Sequence, residues 1–167
     1  EKHFKINFQH LVKYFIFAEN NLVKVSETQK KTSVIDTIIL DLASKNEKII
    51  LGALKKIPSK GSNQVIVPLI ELYIRTQDES IKSKIQIILF ELKDTTTIDP
   101  LISSLNKGND DVDRLILGAL WNNNMNPTEH LYEYVKSAIT GSYLTAFEAL
   151  TLIESMDGEF LEDYVMD

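Results

Sequence analysis

Asp111-Val112-Asp113-Arg114-Leu115-Ile116-Leu117-Gly118-Ala119-Leu120 carries the pattern that decides the fold. Val112, Leu115, Ile116, Ala119 and Leu120 recur at helical spacing and define one buried stripe. Asn109, Asp110 and Asp111 lead into it, and any of the three can cap the free first-turn amides and favour the positive helix end. The closing Ile116–Leu120 has an identical copy 66 positions earlier, Ile50-Leu51-Gly52-Ala53-Leu54. The same apolar register returns at Ile49, Ile50, Ala53 and Leu54, at Ile81, Ile85, Ile88 and Leu89, and at Tyr143, Ala146, Phe147 and Leu150. Four helices on one template mean an array of similar units, and a recurrence of this kind outranks other local signals.

Each of these helices is preceded by a shorter apolar segment. Asp99-Pro100-Leu101-Ile102 reads as a helix opening, with Asp99 as N-cap and Pro100 at the first helical position, where a missing N–H costs nothing. Asn126-Pro127-Thr128-Glu129 and Val67-Pro68-Leu69-Ile70 read the same way, and Val34-Ile35-Asp36-Thr37-Ile38-Ile39 is a proline-free counterpart. Short polar connectors lie between at Thr76–Ser80, Lys107–Asp110 and Thr140–Ser142, lengths that suit antiparallel neighbouring helices. Pro58–Asn63 is a longer loop by composition.

On these residues the chain resembles the HEAT-like repeat family, in its short bacterial form. Asp99-Pro100-Leu101-Ile102 is similar to the first helix of such a repeat, and Asp111-Val112…Arg114…Ala119-Leu120 to the second. An arginine commonly follows the helix-opening valine in that family. Here Asp113 stands there and the cation comes one place later. The resemblance spans residues 34–156 and implies an all-α, right-handed superhelix of about four to five antiparallel helix pairs, with a concave face offered to proteins. Such units cannot bury their stripes singly, so neighbours stack and the ends need covers. Residues 1–31 are expected to form a leading cap and connector, with Phe4, Phe8, Leu11, Val12 and Phe15 on one helical face; Phe4, Ile6 and Phe8 also fit a short strand. Residues 32–156 hold the repeats, and 157–167 an acidic end in which Phe160, Leu161, Tyr164 and Val165 form a final amphipathic turn.

Composition narrows the chemistry. With 167 residues, 44% apolar and 25% charged, the chain is an ordinary folded domain or about five short repeats. It has no cysteine, hence no disulfide, thiolate metal site or cysteine nucleophile, which fits a reducing compartment such as the cytoplasm without requiring one. The chain opens at Glu1 and is expected to be processed or part of something longer. No run approaches the length of a membrane-spanning helix. Net charge is −6, distributed as +5 over residues 1–60, −4 over 61–136 and −7 beyond. Either this is a solvated surface, or opposite ends attract in head-to-tail self-association. The acidic half speaks against nucleic acid, as does the second-helix register Lys48, Ser83, Arg114, Thr145, with two cations in four units.

No catalytic constellation is legible. His3 and His10 are too far apart to ligate one metal unaided, and the acids beside His130 are explained by helix-end electrostatics. Asp111 and Asp113 match the first and third positions of a calcium loop, but Leu115 then falls at the fifth and Ile116 at the sixth, where glycine is needed. Phosphate loops, HExxH helices and GxSxG elbows do not occur, and no cofactor is expected.

One further register matters. Phe90, Trp121 and Leu152 are spaced by 31 and lie nine residues after each helix-opening position, with Lys55 as their earlier counterpart; one turn before them come Leu51, Gln86, Leu117 and Glu148. Arg114, Leu117 and Trp121 share one helix edge, away from Val112, Ile116 and Ala119. This edge is either a second packing face or an inner apolar strip that anchors a partner, Trp and Arg being favoured anchors. The expectation is a non-catalytic protein-binding scaffold using Phe90, Arg114, Leu117, Trp121 and Leu152. The alternative is a HEAT-like enzyme or enzyme subunit, of the bilin-lyase or DNA-glycosylase kind.

Overall fold

The computed structural model describes residues 33–57, 62–125 and 128–156. The expected cap and connector of residues 1–31, the Asn126-Pro127 opening and the acidic end beyond Met156 lie outside the described residues. The described residues between Val34 and Met156 belong to one compact unit. Among the described residues it is all-helical: α1 Val34–Leu42, α2 Glu47–Leu54, α3 Asn63–Arg75, α4 Glu79–Phe90, α5 Ile98–Ser104, α6 Asp110–Asn122, α7 Leu131–Thr140 and α8 Tyr143–Glu154. Short 3₁₀ turns, Thr95–Thr97 and Thr128–His130, lead into α5 and α7.

Polar side chains fix where the helices begin. Asn46 accepts from the Lys48 amide at 2.9 Å, and Asp78 from the amides of Ser80 and Ile81 at 2.7 and 3.2 Å. Asn109, of the three candidates, is the cap of α6 and accepts from Val112 N–H at 3.2 Å. Each bond occupies a first-turn donor that the helix itself leaves free.

Two expected openings are placed differently. Asp99 and Pro100 lie inside the first turn of α5, and the capping carboxylate is Asp94, which accepts from the Thr96 amide at 2.9 Å and starts the 3₁₀ turn. Pro68 sits well inside α3, which begins at Asn63. Val65, Ile66, Leu69, Ile70 and Leu72 form a continuous buried stripe across it. Their burial outweighs the one backbone hydrogen bond that proline cannot donate.

The core follows the repeated register closely in α4 and α6. Ile81, Ile85 and Leu89 are buried, as are Val112, Leu115, Ile116, Ala119 and Leu120. In α2, Ile50, Ala53 and Leu54 are buried but Ile49 is exposed. In α8 the expected stripe fails: Tyr143, Phe147 and Leu150 are exposed, and Thr145, Ala149 and Leu152 are buried instead. The cause lies in the neighbours. α6 packs against α3, α4, α5 and α8, whereas α8 packs against α6 and α7. Only the faces of α8 toward those two helices are covered. Tyr132, Val135 and Ile139 of α7 are exposed as well.

The contacts have a regular order. α1 touches α2 and α3, α3 touches α4 and α5, α5 touches α6, and α7 touches α8; α2 touches α4, α4 touches α6, and α6 touches α8. Polar side chains bridge the same neighbours. Arg75, at the end of α3, donates to the carbonyls of Leu42, Ala43 and Ser44 at the end of α1. A cation is favoured at that negative helix end. Asn123 Nδ2 donates to Leu89 and Ala119 carbonyls, both at 2.7 Å. Asp110 Oδ1 accepts from Ser142 N–H at 3.1 Å and Thr145 Oγ1 at 3.0 Å. Those bonds hold the Asp110 carboxyl below the usual carboxylate range.

Candidate functional site

The edge of α6 that carries Arg114, Leu117 and Trp121 opens on a cleft of about 400 Å³. Tyr73 of α3, Gln86 and Phe90 of α4, and Phe147, Glu148 and Thr151 of α8 complete its walls. The elements converge because α4, α6 and α8 touch in sequence, so residues in one register face one space. The 31-residue spacing of Gln86, Leu117 and Glu148 does this directly: all three line the cleft.

The five expected partner-binding residues divide. Trp121 is 53% exposed and Phe90 is half-buried, so both rings offer surface to a ligand. Arg114 is half-buried at the rim. Leu117 is only 1% exposed and forms the floor, where it shapes the cleft from the core side. Leu152 does not line the cleft at all. It is fully buried, because α8 turns that face toward α6 and α7, and Thr151 takes the lining position instead. Thr145 likewise leaves the register of Lys48 and Arg114: it is buried on Asp110.

Gly118 is where the repeated Ile-Leu-Gly-Ala-Leu segment meets the site. A Cβ there would stand 3.0 Å from Cζ of Phe90, so the missing side chain lets the ring lie against α6. The matching Gly52 has nothing within 4 Å of the same point.

The charges are unequal. Arg114 Nη2 donates to Asp111 Oδ1 at 2.6 Å, and this bond raises the guanidinium pKa further. Glu148 is half-buried, and its Oε2 has no hydrogen-bond partner among the described residues. Burial pushes its carboxyl above the ordinary value, and the field of Arg114 only partly opposes that. Near the Tyr73 wall, Lys82 Nζ lies 5.8 Å from the ring centroid and pairs with Glu79 at 3.0 Å.

Tyr73 and Phe147 are lining residues that the sequence pattern does not single out. The repeated register places Phe147 in the core stripe, and Tyr73 belongs to α3, outside the register that Phe90, Trp121 and Leu152 share. His130, the histidine flanked by acids in sequence, faces Asp99 at 3.9 Å. No group of three or more candidate metal ligands occurs among the described residues, and no helix there is long and apolar enough to cross a membrane. No family model, curated protein or solved structure matches the chain.

Proposed function

We propose that the chain is a HEAT-like, right-handed solenoid of helix pairs that acts as a non-catalytic protein-binding scaffold through the Trp121 cleft. The contact order supports the stack: first members α1, α3 and α5 touch in turn, and second members α2, α4, α6 and α8 do the same. The observation that carries the functional reading is the half-exposed Trp121 beside Phe90 and Arg114. A large indole left in a concave site surrounded by packed helices is the usual anchor of a recognition surface.

The test uses a library of random 12-residue peptides displayed against the full chain, followed by affinity measurement of the selected peptides. Trp121→Ala is expected to weaken them by about 2 kcal/mol, roughly thirtyfold in Kd, with the melting temperature nearly unchanged. Selected peptides that bind the variant as tightly as the parent would refute the assignment.

Glu148 favours a second reading. A half-buried carboxyl with a raised pKa in a cleft is the kind of group that general acid–base catalysis uses. A HEAT-like enzyme of the bilin-lyase or DNA-glycosylase kind would lose turnover in Glu148→Gln while still binding its substrate.

A further inference from the structure

The cleft presents an unequal set of groups to whatever enters it. Four aromatic rings stand in its walls: Tyr73, Phe90, Trp121 and Phe147. Its ionisable lining is two carboxyls, Asp111 and Glu148, against one guanidinium, Arg114. Arg114 is already committed to Asp111 at 2.6 Å, and Glu148 Oε2 has no partner among the described residues. Three classes of side chain can be weighed against this lining. An acidic side chain would enter beside Asp111 and Glu148, with only the remaining N–H groups of Arg114 to offset two carboxylates. An apolar one would suit the rings but would take water from the remainder of the half-buried Glu148 carboxyl without offering it a partner, which costs free energy. A cationic one pairs with the Glu148 carboxyl while its charge lies against ring faces, and the Asp111 carboxylate on Arg114 offsets the repulsion from that guanidinium.

Resting on the scaffold reading above, we infer that the cleft accepts a basic side chain, arginine or lysine, from its protein partner, with Glu148 as counter-charge and Trp121 and Phe90 as flanking rings. Arg114 stays on Asp111 and keeps the rim polar. Leu117 and Gly118 form the floor on which the aliphatic stem of the incoming side chain lies. The Phe90 ring lies against the open space at position 118, where a Cβ would push it back by a few tenths of an ångström, so the floor and one wall meet at the same glycine.

Trp121 is the only tryptophan of the chain, so its fluorescence reports this site and no other. Full-length protein is titrated with N-acetyl-arginine amide and N-acetyl-lysine amide, then with the neutral citrulline and norleucine amides and the acidic N-acetyl-glutamate amide. At least one basic amide is expected to give a saturable signal at least fivefold tighter than its neutral counterpart, with the glutamate compound weaker still. Glu148→Gln, which keeps the shape and whose fold is checked by far-UV circular dichroism, removes that preference. Glu71→Gln, an exposed acid on α3 outside the lining, leaves it intact. Titration by both basic amides no tighter than by their neutral counterparts, tighter binding of the acidic compound, or an unchanged preference in Glu148→Gln overturns the inference.

The two readings fail separately. If library peptides need Trp121 but tolerate replacement of every arginine and lysine by citrulline and norleucine within twofold, the scaffold stands and the basic-side-chain inference falls. If the basic amides bind as expected while no library peptide does, the cation site stands and the scaffold reading falls.

Discussion

Gly52 and Gly118 occupy the same place in two identical pentapeptides, yet their surroundings make them different residues. Glycine inside a helix is less stable than alanine by roughly 0.5–1 kcal/mol, because its backbone has more freedom to lose. Gly52→Ala meets open space and is expected to raise unfolding free energy by about that amount in urea titration. Gly118→Ala is expected to gain less and to weaken peptide binding, because its Cβ displaces the Phe90 ring. Asp113 illustrates an acid retained for its acceptor oxygen. It is buried, and its Oδ1 accepts from the Asn106 amide at 2.8 Å, where Asn106 turns the chain at φ 58°. Asp113→Ala strands that donor and is expected to cost about 1–3 kcal/mol, whereas Asp113→Asn keeps an acceptor and costs under about 1 kcal/mol. Glu148 supplies the pH dependence. Its carboxyl titrates above the ordinary value in the folded chain, so the folded state holds that proton to higher pH than the unfolded state does. Its contribution to stability is therefore lost as pH rises through the folded pKa. Glu148→Gln is expected to be more stable than the parent near neutral pH, by under about 1 kcal/mol given solvent screening. The gap closes below the ordinary carboxylate range, as paired urea titrations would record.

Among the elements, α6 is legible in the sequence almost residue by residue, because α3, α4, α5 and α8 pack around it while the edge with Arg114 and Trp121 stays open on the cleft. The stripe of α8 is not, for the converse reason. Register 31 residues after α6 points to Tyr143, Phe147 and Leu150, but all three are exposed: Phe147 borders the cleft, and Thr145, Ala149 and Leu152 take the packed face. A template identifies which faces are apolar, and the neighbours decide which are buried. This difference is measurable. Ile116→Ala, at a fully buried position, is expected to cost about 2–5 kcal/mol. Ile139→Ala, at a position 76% exposed on α7, is expected to change stability by under about 0.5 kcal/mol in the same thermal or urea assay. The prolines mark the limit of a local rule. The preference of proline for early helix positions places Pro68 at a helix start only in isolation, and the apolar stripe from Val65 to Leu72 carries the helix past it.

At the scale of the molecule, the recurrence of one register accounts for the all-helical architecture and brings Phe90, Arg114, Leu117 and Trp121 to one cleft. What spacing does not carry is depth: Leu117 is floor, Leu152 is core, and Trp121 stands out between them. Nor does it carry Tyr73, which arrives from α3, or the imbalance left by the Arg114–Asp111 pair. Both are properties of the assembled walls. The central claim is that these walls form a recognition site around Trp121. Because the chain holds one tryptophan, its ¹H–¹⁵N spectrum holds one indole cross-peak. Titration with a library-selected peptide is expected to move that peak saturably, with the same Kd as the whole-protein binding isotherm. A peptide that saturates the protein while the indole resonance stays in place would contradict the account.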